Sequence, residues 1–157
     1  MAKGKPRALK PPSQKVLKRP VGMLPERGGF HRLPLFSLEH ADRGSNYGFH
    51  FRVENAGDSH ALLAFLREIG NLTWAEIRSH TTGGKTGHKK HHDMPVAGIC
   101  NDAKERLASM KLDEVIGDNL FRFRLSGTQR LWGFITENTF HVLWWDPEHQ
   151  VYPTSAD

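Results

Sequence analysis

The sequence predicts an α+β domain: a small antiparallel β-meander sheet with helices packed on one face, preceded by a disordered basic tail. Three observations carry this. Residues 121–145 fall into strand-like apolar blocks separated by turn residues. Residues 59–77 and 95–110 repeat apolar side chains at helical spacing, and residues 1–34 follow neither pattern.

Residues 1–34 hold Pro6, Pro11, Pro12, Pro20, Pro25 and Pro34, with Gly4, Gly22, Gly28 and Gly29. Proline removes backbone donors and glycine adds chain entropy, and no apolar period offsets either. Nine Lys and Arg stand there against the single acid Glu26, so this stretch carries +8 and, with the whole chain at +5, the remainder sums to −3. Such a tail attracts polyanions with little sequence preference, and equally serves as a solubilising segment.

Order is expected from near Asn46, and the domain is bounded at 45–153. Tyr47-Gly48-Phe49-His50-Phe51-Arg52-Val53 alternates and predicts a strand. Asp58 or Ser59 then caps a helix with Leu62, Phe65, Leu66 and Ile69 on one side, stopped at Gly70-Asn71. Thr73-Trp74-Ala75-Glu76 fits a capping box, so a short helix follows. Ser79 to Asp93 contains no apolar residue and predicts an exposed loop. A third helix is expected from Pro95, with Val96, Ile99, Cys100, Ala103, Leu107 and Met110 as its stripe. Phe121 to Leu125 alternates strictly, Ser126-Gly127-Thr128 turns, Gln129 to Thr136 returns, Glu137-Asn138 turns again, and Phe140 to Trp145 forms a central strand ended by Asp146-Pro147.

The single Cys100 excludes an intramolecular disulfide and suits the reducing cytoplasm. No apolar run approaches the roughly 18–20 residues of a membrane span, and no secretory signal pattern opens the chain.

The chemistry-bearing residues concentrate in three places. Arg122 and Arg124 share one side of their strand, and Arg130 follows after a tight turn. Three guanidiniums on one sheet face suit phosphate binding, while a solvated face paired with Asp113, Glu114 or Asp118 reads the same way in composition. His88-Lys89-Lys90-His91-His92 suits a polyanion-contacting loop, with a plain flexible loop as competitor. Glycine-rich surroundings, adjacent lysines and the lack of a cysteine argue against a metal there. His149 and Tyr152 follow the last strand and offer a general acid and base. Trp144 and Trp145 point to opposite faces, one to the core and the other to a stacking surface.

The string from Leu120 to Tyr152 resembles the RelE/YoeB/HigB superfamily of toxin endoribonucleases. A basic strand, a Ser-Gly turn, an Arg opening the next strand, an apolar strand and a polar C-terminal segment occur in that order. Arg122, Arg124 and Arg130 match the family's basic positions, Tyr152 its C-terminal Tyr, and His149 more loosely its His. The resemblance implies messenger RNA cleavage by attack of the 2′-hydroxyl on the adjacent phosphorus, with no metal or other cofactor. Arg130, Tyr152 and His149 would be catalytic, with His92 or His91 in reserve, and Arg122 and Arg124 would hold the phosphate. Lys89, Lys90 and His91 would contact RNA from the loop. The implied partners are RNA, including ribosome-bound messenger, and an antitoxin; no membrane is involved. The competing reading is a non-catalytic domain of the same fold that binds nucleic acid or protein, with the tail as polybasic anchor.

Overall fold

The computed structural model describes residues 29–83 and 87–153. Its centre is the meander that the sequence predicts. β3 (Asn119–Arg124), β4 (Arg130–Thr136) and β5 (Thr139–Asp146) run antiparallel. Ser126 and Gly127 turn β3 into β4; Gly127 takes φ +53°, a region that suits glycine, and the Gln129 N–H donates to the Ser126 carbonyl. Glu137 and Asn138 make the second turn, bringing Thr136 opposite Thr139. Pairing then slips: Gly133 faces Val142 and Trp132 faces Trp144, so Leu143 is the extra residue of a β-bulge. The bulge turns consecutive Leu143 and Trp144 into the same apolar cluster. Gly133 permits it, because a Cβ there would lie 2.1 Å from the His141 carbonyl oxygen.

Two edge strands complete a mixed sheet in the order β1-β5-β4-β3-β2. β1 (Leu35–Ser37) runs parallel to β5, and β2 (His92–Pro95) antiparallel to β3. The expected start near Asn46 is therefore too late. The Trp74 N–H donates to the Arg32 carbonyl, Asn138 Nδ2 to the Leu33 carbonyl, and Asp42 is buried. Residues 29–44 belong to the fold, so the disordered tail expected over residues 1–34 is corrected at 29–34, and its remainder lies outside the described residues.

Tyr47 to Val53 is not a strand. The His50 N–H bonds to the Tyr47 carbonyl and the Arg52 N–H to that of His50, so its backbone is closed locally into turns. Its alternation has another cause: Phe49 packs against Trp144 in one cluster, while Phe51 and Val53 pack in the other.

α1 (Ala56–Ile69) is capped by Asn55, whose side chain accepts the Asp58 N–H at 2.7 Å, rather than by Asp58 or Ser59. α2 (Trp74–Ser79) has the expected capping box, with the Glu76 N–H on Thr73 Oγ1 at 3.2 Å and the Thr73 N–H on Glu76 Oε2 at 2.8 Å. Pro95 does not open a helix; it closes β2. Val96–Gly98 form one 3-10 turn, and α3 (Asn101–Ser109) and α4 (Asp113–Ile116) follow. The predicted stripe still packs inward, with Ile99, Ala103 and Leu107 buried.

The helices cover both faces of the sheet, not one. α1 and α2 bury Leu62, Ile69, Trp74 and Ile77 against Phe121, Phe123, Leu131, Phe140 and Trp145. α3 buries Ala103 and Leu107 in a cluster with Leu120, Trp132, Phe134 and Trp144. The unbroken apolar runs of β4 and β5 require two covered faces, which is also why neither Trp144 nor Trp145 offers a stacking surface. Among the described residues, no helix is long and apolar enough to cross a membrane.

Candidate functional site

Strand register assembles the site. On the face shared with α3, Arg124, Arg130 and Asp146 lie directly opposite one another across β3, β4 and β5. The next row holds His92, Arg122, Trp132 and Trp144 across β2 to β5. Direct cross-strand neighbours have Cβ atoms about 5 Å apart. Among the described residues, no carboxylate oxygen comes within ion-pair distance of Arg122, Arg124 or Arg130. Asp113, Glu114 and Asp118 thus do not serve as their partners.

Arg130 is only 6 % exposed. Its Nη1 donates to the Gly127 and Gln129 carbonyls at 2.7 and 2.9 Å, and its Nε has no partner among the described residues. Burial, and then Arg122 and Arg124, press its pKa down to about 10, while Asp146 opposes them. That displacement disfavours the charge by about 3 kcal/mol. The group stays cationic at neutral pH, and an anion at its free edge would offset part of that cost. Arg122 is lowered in the same sense by burial and then by Arg124, with Tyr152 acting to raise it.

His92 faces Arg122 on this surface. Arg122 Nη2 lies 3.1 Å from His92 Nε2, and His92 Nδ1 lies 2.9 Å from the Asp93 carbonyl oxygen. Both contacts are satisfied together by one arrangement: Nδ1–H donates to the carbonyl and Nε2 accepts from the guanidinium. The lone pair that a base would use is therefore occupied by Arg122, and His92 orients that arginine.

His91 goes elsewhere. It is 1 % exposed, its ring packed edge-on against Phe65 and Phe123, and its Nδ1 accepts the Arg124 N–H at 3.1 Å. Burial, followed by Lys90, His80, Arg122 and His92, lowers its pKa to about 3, so it is neutral and structural. The expectation that it contacts RNA from a loop is corrected by this placement. Lys89 is exposed and Lys90 half-buried on the arm leading into β2. Among the described residues, neither side chain has a polar contact with the arginine face.

The segment after β5 returns over the site. Thr128 Oγ1 donates to the Pro147 carbonyl at 2.5 Å, and the Cys100 N–H to the Val151 carbonyl at 2.7 Å. Tyr152 rests on Gly98, where a Cβ would come within 2.6 Å of the phenol oxygen. His149 takes φ +58°, and with Thr128, Arg130, Glu148 and Pro153 it lines an open cleft of about 410 Å³. Burial and then Arg130 lower the His149 pKa, Asp146 raises it, and Arg122 lowers it again. Its imidazole is thereby biased to the neutral form that accepts a proton.

Six of the nine residues singled out in the sequence thus meet at one end of one face: Arg122, Arg124, Arg130, His92, His149 and Tyr152. Asp146 was missed as a site residue. Its signal was the pairing of a strand-ending Asp with the arginine that opens the neighbouring strand. A comparison with protein-family models, with characterised proteins and with solved structures finds no match to this chain.

Proposed function

We propose that this chain is a RelE-like endoribonuclease, a toxin of a toxin–antitoxin pair that cleaves messenger RNA in the cytoplasm without a metal. The observation that carries the reading is the set of three guanidiniums on one sheet face with no carboxylate partner among the described residues. Arg122, Arg124 and Arg130 bind the scissile phosphodiester and the charge that grows on its oxygens. Neutral His149 removes the proton of the 2′-hydroxyl, whose oxygen attacks the adjacent phosphorus. The bond to the 5′-oxygen breaks, and Tyr152 supplies the proton to that leaving group. The products are a 2′,3′-cyclic phosphate and a 5′-hydroxyl end. Ribosome-bound messenger is the substrate and an antitoxin that covers the basic face is the partner.

The test is tightly induced expression of the full chain beside Arg130→Ala, with total RNA mapped for new 5′-hydroxyl ends. Growth arrest with new ends, both lost in the variant, is expected. Normal growth with intact RNA at confirmed soluble expression would refute the toxin.

One observation favours a second reading, a domain that binds RNA and does not cut it. His92 Nε2 is already engaged by Arg122, so this imidazole is not free to take a proton, while the guanidiniums keep their charge for phosphate. It predicts equal, salt-sensitive binding of an RNA oligonucleotide and its 2′-O-methyl analogue, with no cleavage of either.

A further inference from the structure

We propose that Asp146 is the positioning residue of this site, closing residues 147–152 into the turn that sets His149 beside Arg130 and Tyr152 on Gly98. The geometry of the turn stands by itself; its consequence for catalysis rests on the ribonuclease reading.

Asp146 is fully buried and lies directly across from Arg130, the most natural partner a carboxylate could have. Among the described residues the two form no ion pair. Its oxygens face other donors instead. Oδ2 accepts the Trp132 indole N–H at 3.2 Å and the Val151 N–H at 3.0 Å, and Oδ1 accepts the Gln150 N–H at 2.7 Å. Those two amides follow directly on the residue that needs fastening, and Asp146 itself precedes it by three, so His149 is enclosed between the carboxylate and its donors. His149 sits at φ +58°, a left-handed conformation uncommon for residues other than glycine. Anchoring Val151 also delivers Tyr152, whose ring then rests on Gly98.

The same carboxylate has an electrostatic part. The charged groups acting on His149 are Arg130 from β4, Arg122 from β3 and Asp146 from β5, with Glu148 beside it in the turn. Two cations lower its proton affinity and Asp146 opposes them. Without that one buried negative charge, His149 would be a poorer base and Arg130 would lose the charge opposing its own depression. Asp146 therefore does not neutralise the arginines; its bonds hold the turn and its charge keeps His149 able to take a proton.

The experiment titrates the histidine rings of the full chain by NMR, with His149→Gln identifying the His149 signal, and repeats this in Asp146→Asn. Asparagine keeps the shape, removes the charge, and turns one acceptor oxygen into a donor facing an N–H. We expect the His149 midpoint to fall by roughly half a pH unit, and the Gln150 and Val151 amides to lose exchange protection. The acidic limb of the cleavage profile should move to lower pH with the midpoint. A folded Asp146→Asn protein with an unmoved midpoint and protected amides would overturn the proposal. If that variant fails to fold, amide exchange in the unaltered chain decides: slow exchange at Gln150 and Val151 supports the anchor, and open-chain rates overturn it. A shifted midpoint in a chain that neither binds nor cuts RNA would leave Asp146 as positioning residue and remove the ribonuclease reading instead.

Discussion

Two neighbouring sites on one sheet face use the same parts to different effect. Beside the bulge residue Leu143, Asp42 is buried and accepts the Trp144 indole N–H at 3.1 Å; at the end of β5, Asp146 is buried and accepts the Trp132 indole N–H at 3.2 Å. Asp42 then takes Arg106 in a two-pronged pair, Nε at 3.0 Å and Nη2 at 2.8 Å, with Ser45 Oγ at 2.9 Å. Asp146 takes backbone amides and leaves the arginines beside it without a carboxylate. The first arrangement ties α3 and β5 to the segment after β1. The second leaves cationic charge concentrated, which weakens the fold locally and favours an anionic ligand. What each carboxylate accepts decides whether the arginine nearest to it is paired.

The largest effect should come from breaking the first site. Asp42→Ala strips Arg106, Ser45 and Trp144 of their acceptor, and urea denaturation should show a loss of about 3 kcal/mol. A loss below about 1 kcal/mol would mean that the pair does not anchor the fold. Burial acts to raise the Asp42 pKa, but hydrogen bonds from Arg106 and Ser45 and the Arg106 charge outweigh it, so the folded value is lowered. The stabilisation is therefore present above the unfolded carboxylate value and lost as pH falls through the folded one. Asp42→Asn should flatten that acid limb of stability against pH.

Arg130→Ala addresses the second site. RNA affinity should fall by roughly ten- to a hundredfold, the scale of a charge-assisted hydrogen bond. Stability should change by less than about 1 kcal/mol, because relief of a disfavoured charge offsets two lost carbonyl bonds. Equal losses of stability at Asp42 and Arg130 would erase the contrast.

His91 sharpens it, being a cation-forming residue that the fold keeps neutral. Its folded pKa of about 3 lies below the unfolded value near 6.5, so stability is full above the unfolded value and is lost as pH falls toward the folded one. Between pH 7 and pH 5 the cost is about 2 kcal/mol. His91→Phe should remove that slope in thermal melts recorded across the range.

The smallest effect belongs to Arg124→Gln. Stability should move by no more than about 0.5 kcal/mol, while the slope of log affinity for RNA against log salt falls by about one. An unchanged slope would mean that Arg124 is not in contact with phosphate.

How much of this was legible depended on range. The meander and the Thr73–Glu76 capping box are local patterns, in which a side chain's direction follows from its neighbours in sequence. Arg122, Arg124 and Arg130 were placed on one face by alternation and a short turn alone. β1 was hidden because three residues carry no period, and Tyr47–Val53 misled because its aromatics divide between two cores. In the polar string from Ser79 to Asp93, nothing local distinguishes buried His91 from exposed His88; the pocket formed by Phe65 and Phe123 makes that choice.

By itself the sequence determined an α+β domain with a basic strand face, because periodicity and turn chemistry act within a few residues. The tertiary structure alone decided that helices cover both faces, that Asp42 rather than Asp146 takes an arginine, and that His149 and Tyr152 return to the guanidiniums. Those outcomes depend on contacts across the sheet and between segments up to a hundred residues apart, where burial and competing donors, not local pattern, set which partner each charge receives.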